Sequence, residues 1–335
     1  MSVTKNKIII TGAAGFLGGR LAKNLAASGV YDVCATSRRA HRKSELEAAG
    51  CTFAAGDLLS IDFCLQLTKD ADIVVHCAAL SSVWGSYYDF YDANVITTKN
   101  LLHAAKQNSV SKFIFISTPS IYFDFTDRYA VSESDVLPER SVNAYASTKL
   151  IAEQVVLKEN SDQIKTVALR PRAIIGAEDT VIFPRIIRAY TDGRLKIIGD
   201  GKTLGDLTAV SNVIEAVRCC MRADDSAMGQ AYNISDGTPV LLWPTINHIL
   251  KELGYTPITK KISAGLVLAI ASIIEGTAKL FNIKKEPSIT RYGIGVLAKS
   301  LTMDISKAKN KLGYKPVQTT DEAINEFITW YRKQK

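Results

Sequence analysis

Short runs dense in apolar and β-branched residues alternate with helix-period patterns through the first 170 residues. The runs are Lys7 to Ile10, Tyr31 to Thr36, Thr52 to Ala55, Asp72 to His76, Lys112 to Ser117 and Lys165 to Leu169. All are strand-length. Between them Leu17, Leu21 and Leu25 recur every fourth residue within Phe16 to Ala27, and longer helical patterns cover Asp89 to Gln107 and Asn143 to Glu159. Such alternation predicts an α/β fold, a doubly wound parallel sheet with helices on both faces and a ligand crevice outside the carboxyl ends of the strands. From 171 the order loosens. A helix starts at Pro184, a strand spans Leu195 to Ile198, a turn follows at Gly199-Asp200-Gly201, and Ser211 to Met221 reads as a helix. A strand at Tyr232 to Ile234 and a helix-rich region from Leu242 complete the chain, and no repeat, linker or low-complexity segment interrupts it. Residues 171–335 are thus expected to form a smaller, helix-rich lobe, with some segments returning to the sheet built by residues 1–170.

Composition narrows the class. With 47% apolar and 22% charged residues the chain can bury a large core. The net charge of +8 lies entirely beyond residue 250, so the first 250 residues offer no basic groove for nucleic acid. Lys307, Lys309, Lys311 and Lys315 are spaced as a solvated helix face. The six cysteines show neither paired nor Cys/His ligand spacing, so no metal site and no disulfide framework is expected, and a reducing, cytoplasmic setting fits. The start MSVTKNKIIITG runs directly into a strand, leaving no room for a secretory signal. The longest uncharged apolar stretch, Ile262 to Ile274, has 13 residues. A spanning helix needs about 20.

Chemistry concentrates at the strand ends. The first strand leads into Gly12-Ala-Ala-Gly15-Phe16-Leu17-Gly18, a GxxGxxG turn opening a helix. That spacing supplies a tight turn, close approach of a pyrophosphate, and helix-on-strand packing, with helix N–H groups aimed at the anion. It predicts a Rossmann-type dinucleotide site. At the end of the second strand, where a carboxylate would hold a ribose 2′-hydroxyl, stand Ser37, Arg38 and Arg39. A hydroxyl and two guanidiniums suit a 2′-phosphate, so NADP(H) is expected over NAD(H). Tyr145 and Lys149 lie four apart on one helix face, where the cation is expected to lower the phenol pKa and the pair to relay a proton. Chance alone gives about one such spacing in a chain with this many Tyr and Lys. A second one, Tyr331 and Lys335, sits on a terminal helix with no crevice and is read as a decoy. Ser117-Thr118-Pro-Ser120-Ile-Tyr122 follows the fifth strand, placing hydroxyls where a substrate oxygen can be held.

Together these motifs resemble the extended short-chain dehydrogenase/reductase superfamily from residue 7 to about 320. The resemblance implies that Thr118, Tyr145, Lys149 and Asn94 are catalytic, with Ser117 the neighbouring alternative to Thr118. It further implies cofactor contacts at Gly12, Gly15, Phe16, Leu17, Gly18, Ser37, Arg38, Arg39, Asp57, Leu58, Ala78, Ala79, Tyr145, Lys149, Pro171 and Ala173. Its sugar-nucleotide branches carry an Arg where Gly205 stands in Gly199-Asp-Gly201-Lys-Thr-Leu-Gly205. The Ser82-Val-Trp84 loop, the Arg170-Pro-Arg172 stretch and the ending Leu312-Gly-Tyr-Lys-Pro316 instead resemble the 3β-hydroxysteroid dehydrogenase branch, and within it bacterial reductases of 2-alkyl-3-oxoalkanoic acids. Ser82, Trp84, Thr118 and Arg172 are accordingly expected to meet substrate.

The resemblance implies an NADPH-dependent reductase, reversible as a 3-hydroxy dehydrogenase, of a hydrophobic carbonyl compound, with residues 1–170 as the cofactor domain and 171–335 as the substrate-binding region. The alternatives are a sugar-nucleotide epimerase or dehydratase, which Gly205 disfavours, and a non-catalytic NADP sensor, which has no need of a proton relay. A homodimer through the two long helices is expected from the family. The apolar run within 260–285, flanked by Lys260, Lys261, Lys279, Lys284 and Lys285, has three readings: a cationic lid for an acidic substrate, a peripheral contact with anionic membrane, or a helix buried against the sheet with its lysines in solvent.

Overall fold

The computed structural model describes residues 5–281 and 283–334. Its central sheet has seven parallel strands, β1 (Lys7–Thr11), β2 (Asp32–Ser37), β3 (Thr52–Ala55), β4 (Ile73–His76), β5 (Lys112–Ile116), β6 (Lys165–Pro171) and β7 (Ala231–Ile234). Their order is β7-β6-β5-β4-β1-β2-β3. The first six match the expected runs to within two residues. The seventh comes from the C-terminal half and extends the sheet beside β6, Tyr232 against Leu169 and Ile234 against Pro171.

Alternation along each strand divides the core. Ile8 and Ile10 of β1 pack with Val33, Ala35 and Val75 on one face of the sheet. Ile9 packs with Cys34 and Val74 on the other. All are buried, as both faces of a helix-covered parallel sheet must be. Each such aliphatic side chain stabilises the fold by about 1.5–3 kcal/mol. Strand order reverses between β1 and β4, and the crevice opens outside their carboxyl ends, where Thr11 lies opposite His76.

The long helix expected from Asp89 is interrupted. Tyr87–Tyr91 and Thr97–Gln107 are α-helical, but Asp92–Ile96 between them forms a π-helical turn that contains Asn94. The other long helix, Ala144–Lys158, begins where Asn143 Oδ1 accepts the Ala146 N–H at 2.8 Å.

The C-terminal part is helix-rich, with Leu242–Glu252, Ala264–Leu280, Arg291–Ala298, Ser306–Leu312 and Thr320–Arg332. Small strands at Arg128–Val131, Leu204–Gly205, Val240–Leu241 and Leu301–Met303 join a separate four-stranded sheet. Lys309, Lys311 and Lys315 are exposed, as their spacing implies. Lys307 departs from the expected solvated face: half-buried, it donates to the Ala231 carbonyl at 3.0 Å and lies 5.0 Å over the Tyr232 ring. The edge strand β7 provides both contacts, through Ala231 and Tyr232. All six cysteines are free, and among the described residues no cluster could hold a metal. No helix among them is long and apolar enough to cross a membrane.

Candidate active site

The turn after β1 is built to admit a ligand against backbone. Gly12 has φ +68°, and a Cβ there would lie 2.8 Å from the Ala78 backbone. A Cβ on Gly18 would lie 2.5 Å from the Gly12 carbonyl oxygen. Gly15 caps the helix Phe16–Ala27 without any side-chain acceptor, which leaves its first N–H groups uncapped, as an anion-binding helix start requires. Phe16 and Leu17 pack partly buried against the core beneath. Thr11 Oγ1 accepts the Ala78 N–H at 3.0 Å, tying the turn to the Ala78-Ala79 segment after β4. At neighbouring strand ends the buried hydroxyls Thr36 Oγ1 and Ser117 Oγ have no hydrogen-bond partner. A glycine cradle with open N–H groups and orphaned hydroxyls fits a dinucleotide.

Beyond β2, Arg38 and Arg39 are exposed, and Ser37 Oγ donates to the Arg39 carbonyl at 2.5 Å. A third cation, which the sequence pattern did not single out, lies closer to the turn. Arg42 reaches the Gly15 carbonyl at 3.4 Å while Glu45 and Glu178 hold its guanidinium at 2.5–2.7 Å. Asp57 is exposed after β3, its Oδ1 accepting the Leu59 N–H, and Leu58 is buried beside it.

Tyr145 and Lys149 open the helix Ala144–Lys158. The Tyr145 phenol lies within reach of the Thr118 hydroxyl, which follows β5 and favours the phenolate. Burial pushes its pKa up to about 12. This corrects the expectation that Lys149 lowers it. The Lys149 ammonium is turned elsewhere, donating to the Ile116 carbonyl at 2.6 Å and lying 3.8 Å over the Phe115 ring. Desolvation there lowers its own pKa to about 7.

Asn94 holds three elements together. Its Oδ1 accepts the Leu80 N–H at 2.8 Å, and its Nδ2 donates to Thr148 Oγ1 at 3.0 Å, one residue before Lys149. Behind it, buried His76 links the glycine turn to the π-helical turn. Thr98 Oγ1 donates to the Asn94 carbonyl, so it accepts from His76 Nε2, leaving Nδ1 to accept from Thr11 at 2.8 Å. Burial holds this imidazole neutral, lowering its pKa to about 3.

On the expected substrate side, Ser82 Oγ donates to the Trp84 carbonyl and Trp84 Nε1 to the Ile283 carbonyl at 3.0 Å, so this loop meets the C-terminal lobe. Pro171 ends β6, and Ala173 takes a positive φ of 44°. Between them Arg172 is buried with Nε unpartnered, as is Oδ1 of Asp206, its electrostatic partner. Burial raises the Asp206 pKa to about 6. Two further features escaped sequence reasoning. Arg170 pairs with Glu153 inside the protein, and Tyr292, from the helix Arg291–Ala298, reaches Ser120 at 2.7 Å. Neither pairing has a local signal, because the partners lie 17 and 172 residues apart. Tyr331 stacks on Phe327 in the last helix, and Lys335 lies outside the described residues.

Gly205 pairs with Val240 and Leu301, and a Cβ on it would meet Leu242 at 3.1 Å. That position therefore has little room for an arginine. Known proteins bear on this geometry in two ways. The chain is 33% identical to a 2-alkyl-3-oxoalkanoate reductase of Shewanella oneidensis, over 95% of this chain and 84% of that one. It is 31% identical to a decarboxylating sterol-4-alpha-carboxylate 3-dehydrogenase of Candida albicans, over 98% and 99%. Among solved structures, MoeE5 in complex with UDP-glucose and NAD superposes with a TM-score of 0.75 at 28% identity, covering 98% of this chain and 99% of that one. Residues 8–235 match the model of the NAD dependent epimerase/dehydratase family. With its glycine cradle and strand order, the chain is an NAD(P)-dependent oxidoreductase belonging to that family.

Proposed function

We propose that the protein is an NADPH-dependent reductase, reversible as a 3-hydroxy dehydrogenase, acting on a hydrophobic carbonyl compound of the class of long-chain 3-oxo acids or steroid-like ketones. The observation that carries this is the Tyr145 phenol beside the Thr118 hydroxyl at the carboxyl end of β5, with Lys149 one helical turn on. In the reductive direction Tyr145 gives its proton to the carbonyl oxygen, and Thr118 holds that oxygen in place. Lys149, one helical turn on, would hold the nicotinamide ribose. Asn94 fixes the Leu80 segment against the helix that carries both. A bound nicotinamide would supply the hydride chemistry at the substrate carbon. Residues 1–170 serve as the cofactor domain and 171–335 as the substrate-binding region.

Ser37, Arg38 and Arg39 would take the 2′-phosphate, the two exposed guanidiniums being free to grip it. The substrate class is supported by Gly205, by the two relatives named above and by the helix Ala264–Leu280. Leu266, Ile270, Ile273, Leu280 and Phe281 form an exposed stripe along that helix, with exposed Lys260, Lys261, Lys279, Lys284 and Lys285 around it. We read the stripe as a peripheral contact with anionic lipid, from which a lipid-like substrate could enter past Trp84. The helices Thr97–Gln107 and Ala144–Lys158 are proposed as the homodimer face.

NADPH oxidation over steroid ketones, long-chain 3-oxo acids and their thioesters tests the reading. Tyr145→Phe should lose about 10²- to 10⁴-fold in kcat with cofactor binding intact. Near-normal turnover by that variant would overturn the mechanism, and faster turnover with NADH than NADPH would overturn the cofactor choice.

A further inference from the structure

The hydroxyl at Thr118 does not act alone. Its Oγ1 donates to Ser120 Oγ at 3.0 Å and accepts the Ser120 N–H at 3.2 Å. Ser120 Oγ in turn pairs with Tyr292 OH at 2.7 Å, and in that pair either oxygen can be the donor. Thr118, Ser120 and Tyr292 therefore form one chain of three hydroxyls beside the Tyr145 phenol, its last member coming from the C-terminal lobe. Thr118 and Ser120 are buried, so water does not substitute freely for their partners. The Tyr292 ring stands edge-on to Phe123 at 5.8 Å, and Thr290 caps the helix that carries it, which fixes where the phenol reaches.

A hydroxyl has a single proton to give. While the Thr118 proton is spent on Ser120, it is not available to a substrate oxygen. A phenol donates more readily than an aliphatic hydroxyl. With Tyr292 donating to Ser120, Ser120 can give its own proton to Thr118, and the Thr118 proton turns to the substrate. We propose that Tyr292 is a positioning residue that acts through Ser120 to aim the Thr118 hydroxyl, so that the reacting groups are completed only when the C-terminal lobe is seated on the sheet. No bond to carbon changes in this step; two hydroxyl rotors reverse. The proposal rests on the reductase reading above.

The test is steady-state kinetics of Tyr292→Phe, Ser120→Ala and the double variant with a substrate that the wild type reduces. Phenylalanine keeps the ring against Phe123 and removes only the hydroxyl. Each single variant should lose about tenfold in kcat with KM within about threefold, which corresponds to one hydrogen bond acting in the transition state. The double variant should lose no more than the worse single one, because both act through one chain. Unchanged kcat in Tyr292→Phe, a loss confined to KM, or losses that multiply in the double variant would overturn the proposal while leaving the reductase reading intact. If the wild type reduces no carbonyl compound, that reading fails, and the chain is read by ¹³Cζ-tyrosine NMR, with Tyr145 assigned from Tyr145→Phe. A Tyr145 titration that moves in Tyr292→Phe and moves equally in Ser120→Ala supports the linkage. A titration unmoved by either variant, or moved by Tyr292→Phe alone through its direct electrostatic effect on Tyr145, overturns it.

Discussion

Glu153→Gln removes one charge from the interior without changing shape. Arg170 on β6 grips Glu153 with two hydrogen bonds, Nε at 2.9 Å and Nη2 at 2.5 Å, and donates from Nη1 to the Tyr122 hydroxyl. The side chains are 8% and 2% exposed, so almost no solvent is available to a guanidinium that loses its partner. Breaking a pair so enclosed costs about 3–5 kcal/mol. Against a stability of about 5–15 kcal/mol that is a large fraction, visible as a shift on the order of 1 M in the urea midpoint. The double variant Glu153→Met with Arg170→Met removes both charges and should recover most of the loss, since Tyr122 keeps its bond to Asn233 at 3.1 Å. Function is affected by a separate route. Glu153 stands one turn beyond Lys149 and favours its protonated form, so Glu153→Gln should move the alkaline limb of kcat/KM to lower pH. Urea unfolding and a pH–rate profile on the same protein read both effects. A loss under about 1 kcal/mol in the single variant, or a double variant as damaged as the single, would refute the assignment of a charge-dependent core.

Three further outcomes are expected. In the cofactor-free protein Lys149 loses its proton near pH 7, whereas the unfolded chain holds that proton to about 10.5. The unfolded state therefore binds more protons across that window, stability rises with pH through it, and Lys149→Met should flatten the rise in urea titrations. Gly18→Ala places a methyl 2.5 Å from the Gly12 carbonyl and should cost about 1–3 kcal/mol while weakening NADPH binding about tenfold or more. Gly29→Ala, at φ +68° with nothing within 4 Å, should cost about 1 kcal/mol and leave binding unchanged; equal effects on binding would remove the cradle argument. Wild-type protein should co-float with anionic but not neutral vesicles, and Ile273→Glu with Leu280→Glu should abolish this; flotation unaffected by the pair would rule out the exposed stripe as the contact.

The candidate site was legible where chemistry is local in sequence. Gly12, Gly15 and Gly18 had to sit at a strand-to-helix turn, and Tyr145 and Lys149 had to share a helix face. What Lys149 does could not be read the same way. Spacing four predicts proximity to Tyr145, but the Ile116 carbonyl and the Phe115 ring compete for the ammonium, and both come from β5. The π-helical turn at Asn94 was likewise hidden, because the helical period on either side of it is intact.

Strand and helix periods and glycine spacing determined the α/β class, the strand segments of the main sheet and the cofactor turn, since each depends on neighbours within a few residues. The tertiary structure alone decided that β7 closes the sheet edge, that Lys307 lies against it and that Glu153 meets Arg170. It alone brought Tyr292 to Ser120 across 172 positions. Such contacts follow from how the C-terminal lobe is seated on the sheet, and a hydroxyl or a guanidinium has no periodicity that announces which distant group will satisfy it.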